Sequence, residues 1–220
     1  MLEIPWYKKC LGYLYPIVLA KKQSDKHTNL KIKYYQGQIQ LESDNALYSD
    51  GYRYSPFRTT FHRINTNKEL EKNNTFLLLG AGLGSALYRL QKVYNIYPES
   101  YLVEYDADII HLSRKYLLQG QTEKVHFILQ EAHDYLKSCN QKFDLIGIDL
   151  FDNLENSYLL SQDDFWNKIK KISHQYSNII VNTIFLDKEE LKALENRLAK
   201  DFTFERINRP PNYFYILKLR

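Results

Sequence analysis

The chain has 220 residues, 30 basic and 26 acidic, for a formal net charge of +4, with 44% hydrophobic and 25% charged residues. Those values are ordinary for a globular protein and exclude disorder, collagen and a coiled coil. The charge excess is too small to argue for nucleic acid. Glycine is scarce at eight residues, which makes the cluster Gly80, Gly82 and Gly84 informative.

Residues 5–15 (PWYKKCLGYLY) place proline first and then apolar residues at helical spacing, which predicts a short amphipathic helix. Lys8 and Lys9 precede the apolar run 10–20 much as the charged region of a signal peptide would. Pro16 interrupts that run, no A-x-A pattern follows, and the run is too short to span a bilayer. A cytoplasmic protein without membrane contact is expected. Cys10 and Cys139 form neither a disulfide framework nor a C-x-x-C metal site and are read as reduced and partly buried. From 16 to 54, PIVLAKK, NLKIKYYQG and QIQLESDNALYS alternate apolar and polar residues around turn-formers. They predict a small antiparallel sheet of about three strands, whose exposed edges suit a homodimer. The polar stretch 64–74 (INTNKELEKNN) then marks a boundary between an N-terminal domain, 1–70, and a second, 71–220.

Beyond that boundary the hydrophobic period switches repeatedly. TFLLLG (75–80), ESYLVEYD (99–106), KVHFILQE (124–131), FDLIGIDLF (143–151) and SNIIVNTIF (177–185) read as strands, each followed by a helical pattern. Five β-then-α units predict a mostly parallel, doubly wound α/β sheet. FTFERIN and NYFYILKLR, joined at Arg209-Pro210-Pro211, read as a C-terminal antiparallel hairpin. Such a hairpin closing a Rossmann-like sheet is typical of class I methyltransferase folds.

Ligands of open α/β sheets bind at the carboxyl ends of the strands, so the chemistry is sought there. Gly80-Ala81-Gly82-Leu83-Gly84-Ser85 follows a strand and opens a helix, a context in which glycines let backbone approach a ligand. Ser85 leaves a G-x-G-x-x-G fingerprint incomplete, and no Lys-Ser/Thr follows as a Walker A loop requires. G-x-G-x-G matches a methyltransferase-type nucleoside loop better; a tight turn without ligand is the competing reading. Glu104 lies 24 positions after Gly80, near the spacing at which a carboxylate accepts from both ribose hydroxyls. Glu131 can accept from an adenine amino group or can simply complement a helix N-terminus. Asp149 and Asp152 sit at the fourth strand end, where a carboxylate can orient or deprotonate an attacking amine, while turn capping accounts equally for Asp152 and Asn153. No metal-ligand spacing occurs among the six histidines, and none is expected to bind metal.

These segments together resemble the spermidine synthase (aminopropyltransferase) family of the methyltransferase fold, over nearly the whole chain. FLLLGAGLGS resembles its glycine loop, LVEYDADIIHLSRKYL its second-strand segment, ILQEAHDYLK its adenine-contacting segment and FDLIGIDLFDN its D-x-x-D motif. The resemblance implies a nucleoside site at Gly80, Gly82, Gly84, Glu104 and Glu131, proton acceptance by Asp149 and amine binding by Asp152. SDGYRYSP (49–56) keeps Asp50 and Tyr54 of the family's polyamine-binding segment but has Gly51 and Pro56 at its acidic positions. Leu83 stands where the family has a ligand-binding Asp. The expected function is transfer from S-adenosylmethionine or its decarboxylated form to a small acceptor such as an amine. Leu83 tips that expectation toward methyl transfer over aminopropyl transfer, and a non-catalytic binding or dimerisation module is the third reading.

Overall fold

A computed structural model describes residues 4–24, 26–27, 29–43, 46–66, 68–118, 123–152 and 155–220, except for the side chain of Asp152. The first helix is shorter than its sequence pattern, α1 (Trp6–Leu11), and leaves Trp6, Tyr13 and Leu14 exposed. Cys10, expected to be partly buried, is exposed, whereas Cys139 is buried. The alternating segment folds into four antiparallel strands in chain order, β1 (Ile17–Lys22), β2 (Leu30–Tyr35), β3 (Gln38–Ser43) and β4 (Ala46–Asp50). The expected third strand is two, β3 and β4, which pair antiparallel with Ser43 opposite Ala46. Period-two patterning puts Leu30, Ile32 and Tyr34 of β2 on the buried face.

A helix absent from the expected elements follows, α2 (Ser55–Asn65), with Pro56 in its first turn, where its missing N–H costs nothing. Phe57, Phe61 and Ile64 recur at helical spacing and are buried. A single 3-10 turn (Glu69–Lys72) leads into the larger half. There the chain forms β5 (Thr75–Leu79), α3 (Ser85–Tyr94), β6 (Glu99–Glu104), α4 (Ala107–Leu112), β7 (Val125–Leu129), α5 (Ala132–Ser138) and β8 (Leu145–Ile148). It ends with the two-residue strands β9 (Phe151–Asp152) and β10 (Glu155–Asn156), then α6 (Asp163–Lys171), β11 (Asn178–Ile184), α7 (Lys188–Leu198), β12 (Phe202–Arg209) and β13 (Asn212–Leu219). The segment read as one strand over 143–151 stops at Ile148, and the β9–β10 hairpin replaces its end.

The seven-stranded sheet has the order β12-β13-β11-β8-β5-β6-β7. β11, β8, β5, β6 and β7 are mutually parallel, and β13 runs antiparallel to β11 and β12. This is the expected Rossmann-like methyltransferase fold, preceded by a small antiparallel sheet. Both faces of the central strands are covered: Phe76 and Leu78 pack with Phe57 and Phe61 of α2, and Leu77 and Leu79 with Trp166 of α6. The winding reverses between β5 and β8, so a crevice opens beyond their carboxyl ends. No helix among the described residues is long and apolar enough to cross a membrane.

Candidate active site

A cavity of about 1170 Å³ occupies that crevice. Its floor is the ends of β5, β6 and β8, and its other walls come from the small sheet, the start of α2 and the β9–β10 hairpin. Asp149, one residue past β8, lies deep in it with part of its surface open to the cavity. Asn182 of β11 donates from Nδ2 to Asp149 Oδ1 at 2.8 Å, and Asn212 of β13 donates to Asn182 Oδ1 at 3.0 Å. Tyr54, at the entry to α2, also faces Asp149, and each acts on the other's charge. Burial pushes the Asp149 carboxyl up to about 6, against the lowering pull of the Asn182 and Tyr54 side chains. Burial together with the Asp149 charge holds the Tyr54 phenol well above its ordinary range. Asp149 is therefore poised to take a proton near neutral pH, with its orientation fixed by the Asn182 bond.

Of the glycines, Gly80 and Gly82 line the cavity and Gly84 does not. Gly80 has φ +78°, and a Cβ there would lie 2.2 Å from the Asp149 carbonyl oxygen. Its glycine is thus needed for the approach of two strand ends, whatever lies in the cavity. Gly84 caps α3, and its α-carbon packs on Leu118, where a Cβ would meet Cδ1 at 2.5 Å. Leu83, between two glycines of positive φ, is buried in the core. Its N–H donates to Ser49 Oγ at 3.0 Å and its carbonyl accepts from Ser113 Oγ at 2.8 Å. The glycine loop therefore presents no side-chain carboxylate to the cavity.

Glu104 ends β6 and is 5% exposed. Its Oε2 accepts from the Gly82 amide at 2.9 Å, and Oε1 accepts from Tyr105 at 2.9 Å and Asp106 at 3.2 Å. A carboxylate has about four acceptor sites, so one remains, enough for one ribose hydroxyl where two were expected. Burial pushes this carboxyl up to about 7, opposed by those three amide bonds. Glu131 stands exposed on the wall at the N-cap of α5 and makes no cap bond with its side chain. Asp50 also lines the cavity, its Oδ1 accepting from Gln40 Nε2 at 2.9 Å and from Arg53 at 3.4 Å. The side chain of Asp152, and all of Asn153, fall outside the described residues.

Asn182 and Asn212 escaped the sequence reading, although an Asn inside the apolar run NIIVNTI is the signal for a polar task in a buried strand. The connection between β1 and β2 escaped as well. From it, Ser24 Oγ donates to Asp106 Oδ2 at 2.6 Å. The His27 ring meets Tyr48 and Tyr105 edge-on at 5.4 and 6.0 Å between centroids. These contacts fasten the small sheet over the end of β6. Among the described residues no cluster of three or more His, Cys, Asp or Glu is placed to hold a metal.

Residues 64–209 match the family model described as spermine/spermidine synthase domain. The polyamine aminopropyltransferase of Saccharolobus solfataricus is 29% identical over 111 residues, covering 47% of this chain and 36% of that protein. Polyamine aminopropyltransferase 1 of Aquifex aeolicus is 25% identical over 132 residues, covering 57% and 47%. The chain thus matches less than half the length of these curated relatives. Among solved structures, a probable spermidine synthase from Corynebacterium glutamicum superposes with a TM-score of 0.72 at 15% identity, covering 93% of this chain and 81% of that one. Spermidine synthase from Thermotoga maritima gives 0.65 at 17%, covering 92% and 72%. Human methyltransferase-like protein 13 gives 0.57 at 20%, covering 71% and 76%. At these identities the structural likeness speaks for the fold alone.

Proposed function

This chain belongs to the spermine/spermidine synthase family, and we propose that it is a transferase moving an aminopropyl group from decarboxylated S-adenosylmethionine to a small amine. The observation that carries the proposal is Asp149, a half-buried carboxylate raised to about 6, lining a cavity roomy enough for a nucleoside and an acceptor together. The curated relatives named polyamine aminopropyltransferases favour aminopropyl over methyl transfer, which reverses the preference drawn from Leu83.

The donor, when bound, supplies a sulfonium-activated carbon. Gly80 and Gly82 let it lie against backbone, Glu104 takes a ribose hydroxyl, and Glu131 faces the adenine end. On the acceptor side Tyr54 and Asn182 hold Asp149 in place, and Asp149 takes the proton the amine releases. Asp50 belongs to the cavity lining as well, and the amine-binding role that the family resemblance implies for Asp152 is part of the same proposal. The division into residues 1–70 and 71–220 belongs to the same proposal, with α2 joining the two because Phe57 packs on Gly147 of β8, as does a homodimer through the small sheet.

Methyl transfer is the second reading, favoured by one observation: Leu83 lies in the core and the glycine loop offers no carboxylate for a donor amine. Calorimetry with S-adenosylmethionine, its decarboxylated form and methylthioadenosine separates the two. Tighter binding of the decarboxylated form is expected. Preference for the carboxylated form would transfer the proposal to methyl transfer, and no binding of any of the three would refute both.

A further inference from the structure

The cavity lining carries both signs of charge. Asp149 and Glu155 of β10 belong to it, and Glu155 is exposed without an ion-pair partner among the described residues. Arg58 lines the same cavity, one helical turn beyond Tyr54; its amide donates to the Tyr54 carbonyl at 3.0 Å. Arg58 thus lies in the first turns of the helix whose N-cap is Tyr54, the residue beside Asp149. Arg58 is exposed, and its guanidinium has no hydrogen-bond or ion-pair partner among the described residues. The nearby acid that would neutralise this wall, Asp50, is already engaged by Arg53 and Gln40. Arg53 is itself held by the Gln36 side chain at 3.0 Å and the Tyr35 carbonyl at 3.2 Å.

A diamine whose second ammonium comes to Arg58 makes a like-charge contact that selects against it. An amine that ends in a carboxylate instead meets a planar guanidinium fork matched to it. We propose that the acceptor is an amino acid, its nucleophilic amine at Asp149 and its carboxylate on Arg58. This deepens the aminopropyl-transfer reading and rests on it. The amine lone pair forms the new N–C bond as the C–S bond breaks with its electrons going to sulfur. The ammonium proton passes to Asp149, leaving a neutral thioether nucleoside.

The test gives the protein decarboxylated S-adenosylmethionine with 4-aminobutyrate, ornithine or putrescine and measures methylthioadenosine release. Calorimetry of the same three amines on protein saturated with methylthioadenosine runs beside it. The amino acids are expected to bind and react better than putrescine. Arg58→Leu should weaken them by about tenfold to a hundredfold, the worth of one charge-assisted contact, and Arg58→Glu should turn the preference toward putrescine. Preferred use of putrescine, indifferent to Arg58, overturns the inference and leaves aminopropyl transfer standing. Arg58-dependent amino-acid binding without any methylthioadenosine release upholds the substrate class and overturns aminopropyl transfer. Neither binding nor release overturns both.

Discussion

At the scale of the residue, the proposed function gives the proton to Asp149 and the nucleoside to Glu104, and both are carboxyls raised by burial. Asp149→Asn keeps the shape of the Tyr54 and Asn182 contacts but cannot take a proton. Methylthioadenosine formation should fall by about a hundredfold or more, the usual share of a general base, with donor affinity by calorimetry within a few-fold of wild type. Because the acting form is the carboxylate, kcat/KM should rise with pH through a limb near 6, the value of Asp149. The sign for stability is opposite. Folded values of about 6 and about 7 lie above ordinary unfolded ones of about 4, so the folded state binds more protons in between. The resulting stabilisation is complete below about pH 4 and lost as pH rises through 6 to 7. Melting temperatures from pH 5 to 8 should decline, and less steeply in Asp149→Asn; a profile that the variant leaves unchanged contradicts this assignment.

At the scale of the element, α2 decides where Tyr54 stands. Phe57 lies over Gly147 of β8, and a Cβ there would sit 3.1 Å from Phe57 Cε1 and 2.8 Å from Leu78 Cδ1. Gly147→Ala should cost about 1–3 kcal/mol by overpacking and, by lifting α2, lower kcat more than it weakens donor binding. Denaturant melts and donor calorimetry check the two halves of that expectation. The α2 helix also shows what the sequence conceals. SPFRTTFHRIN holds three β-branched residues and no acid in its first turn, so local propensity argues weakly for a helix. Its Phe57, Phe61, Ile64 stripe becomes legible only with a sheet to cover. By contrast, α7 announced itself: Asp187 and Glu190 form a full capping box in DKEELKALENRL.

At the scale of the whole molecule, the alternation of apolar runs and helical periods was enough to read the doubly wound sheet and its terminal hairpin, because each central strand is buried on both faces. It was also enough to put Gly80, Gly82, Glu104, Glu131 and Asp149 around one crevice, since strand ends on a parallel sheet converge. What it withheld depends on contacts between distant segments. Asn212 reaches Asn182 only because β13 pairs beside β11. Leu83 turns inward because the glycines flanking it take positive φ. The amides that occupy Glu104 come from two different turns. The charge lining the cavity is a property of the same kind: Arg58 and Glu155 are 97 positions apart in the chain and both line it.

The most direct test of the account is product analysis by mass spectrometry after incubation with decarboxylated S-adenosylmethionine and a mixture of amines. Aminopropyl transfer predicts methylthioadenosine together with an amine heavier by one aminopropyl group, both absent with Asp149→Asn. Intact donor after prolonged incubation, or a methylated amine formed only from S-adenosylmethionine, would contradict it.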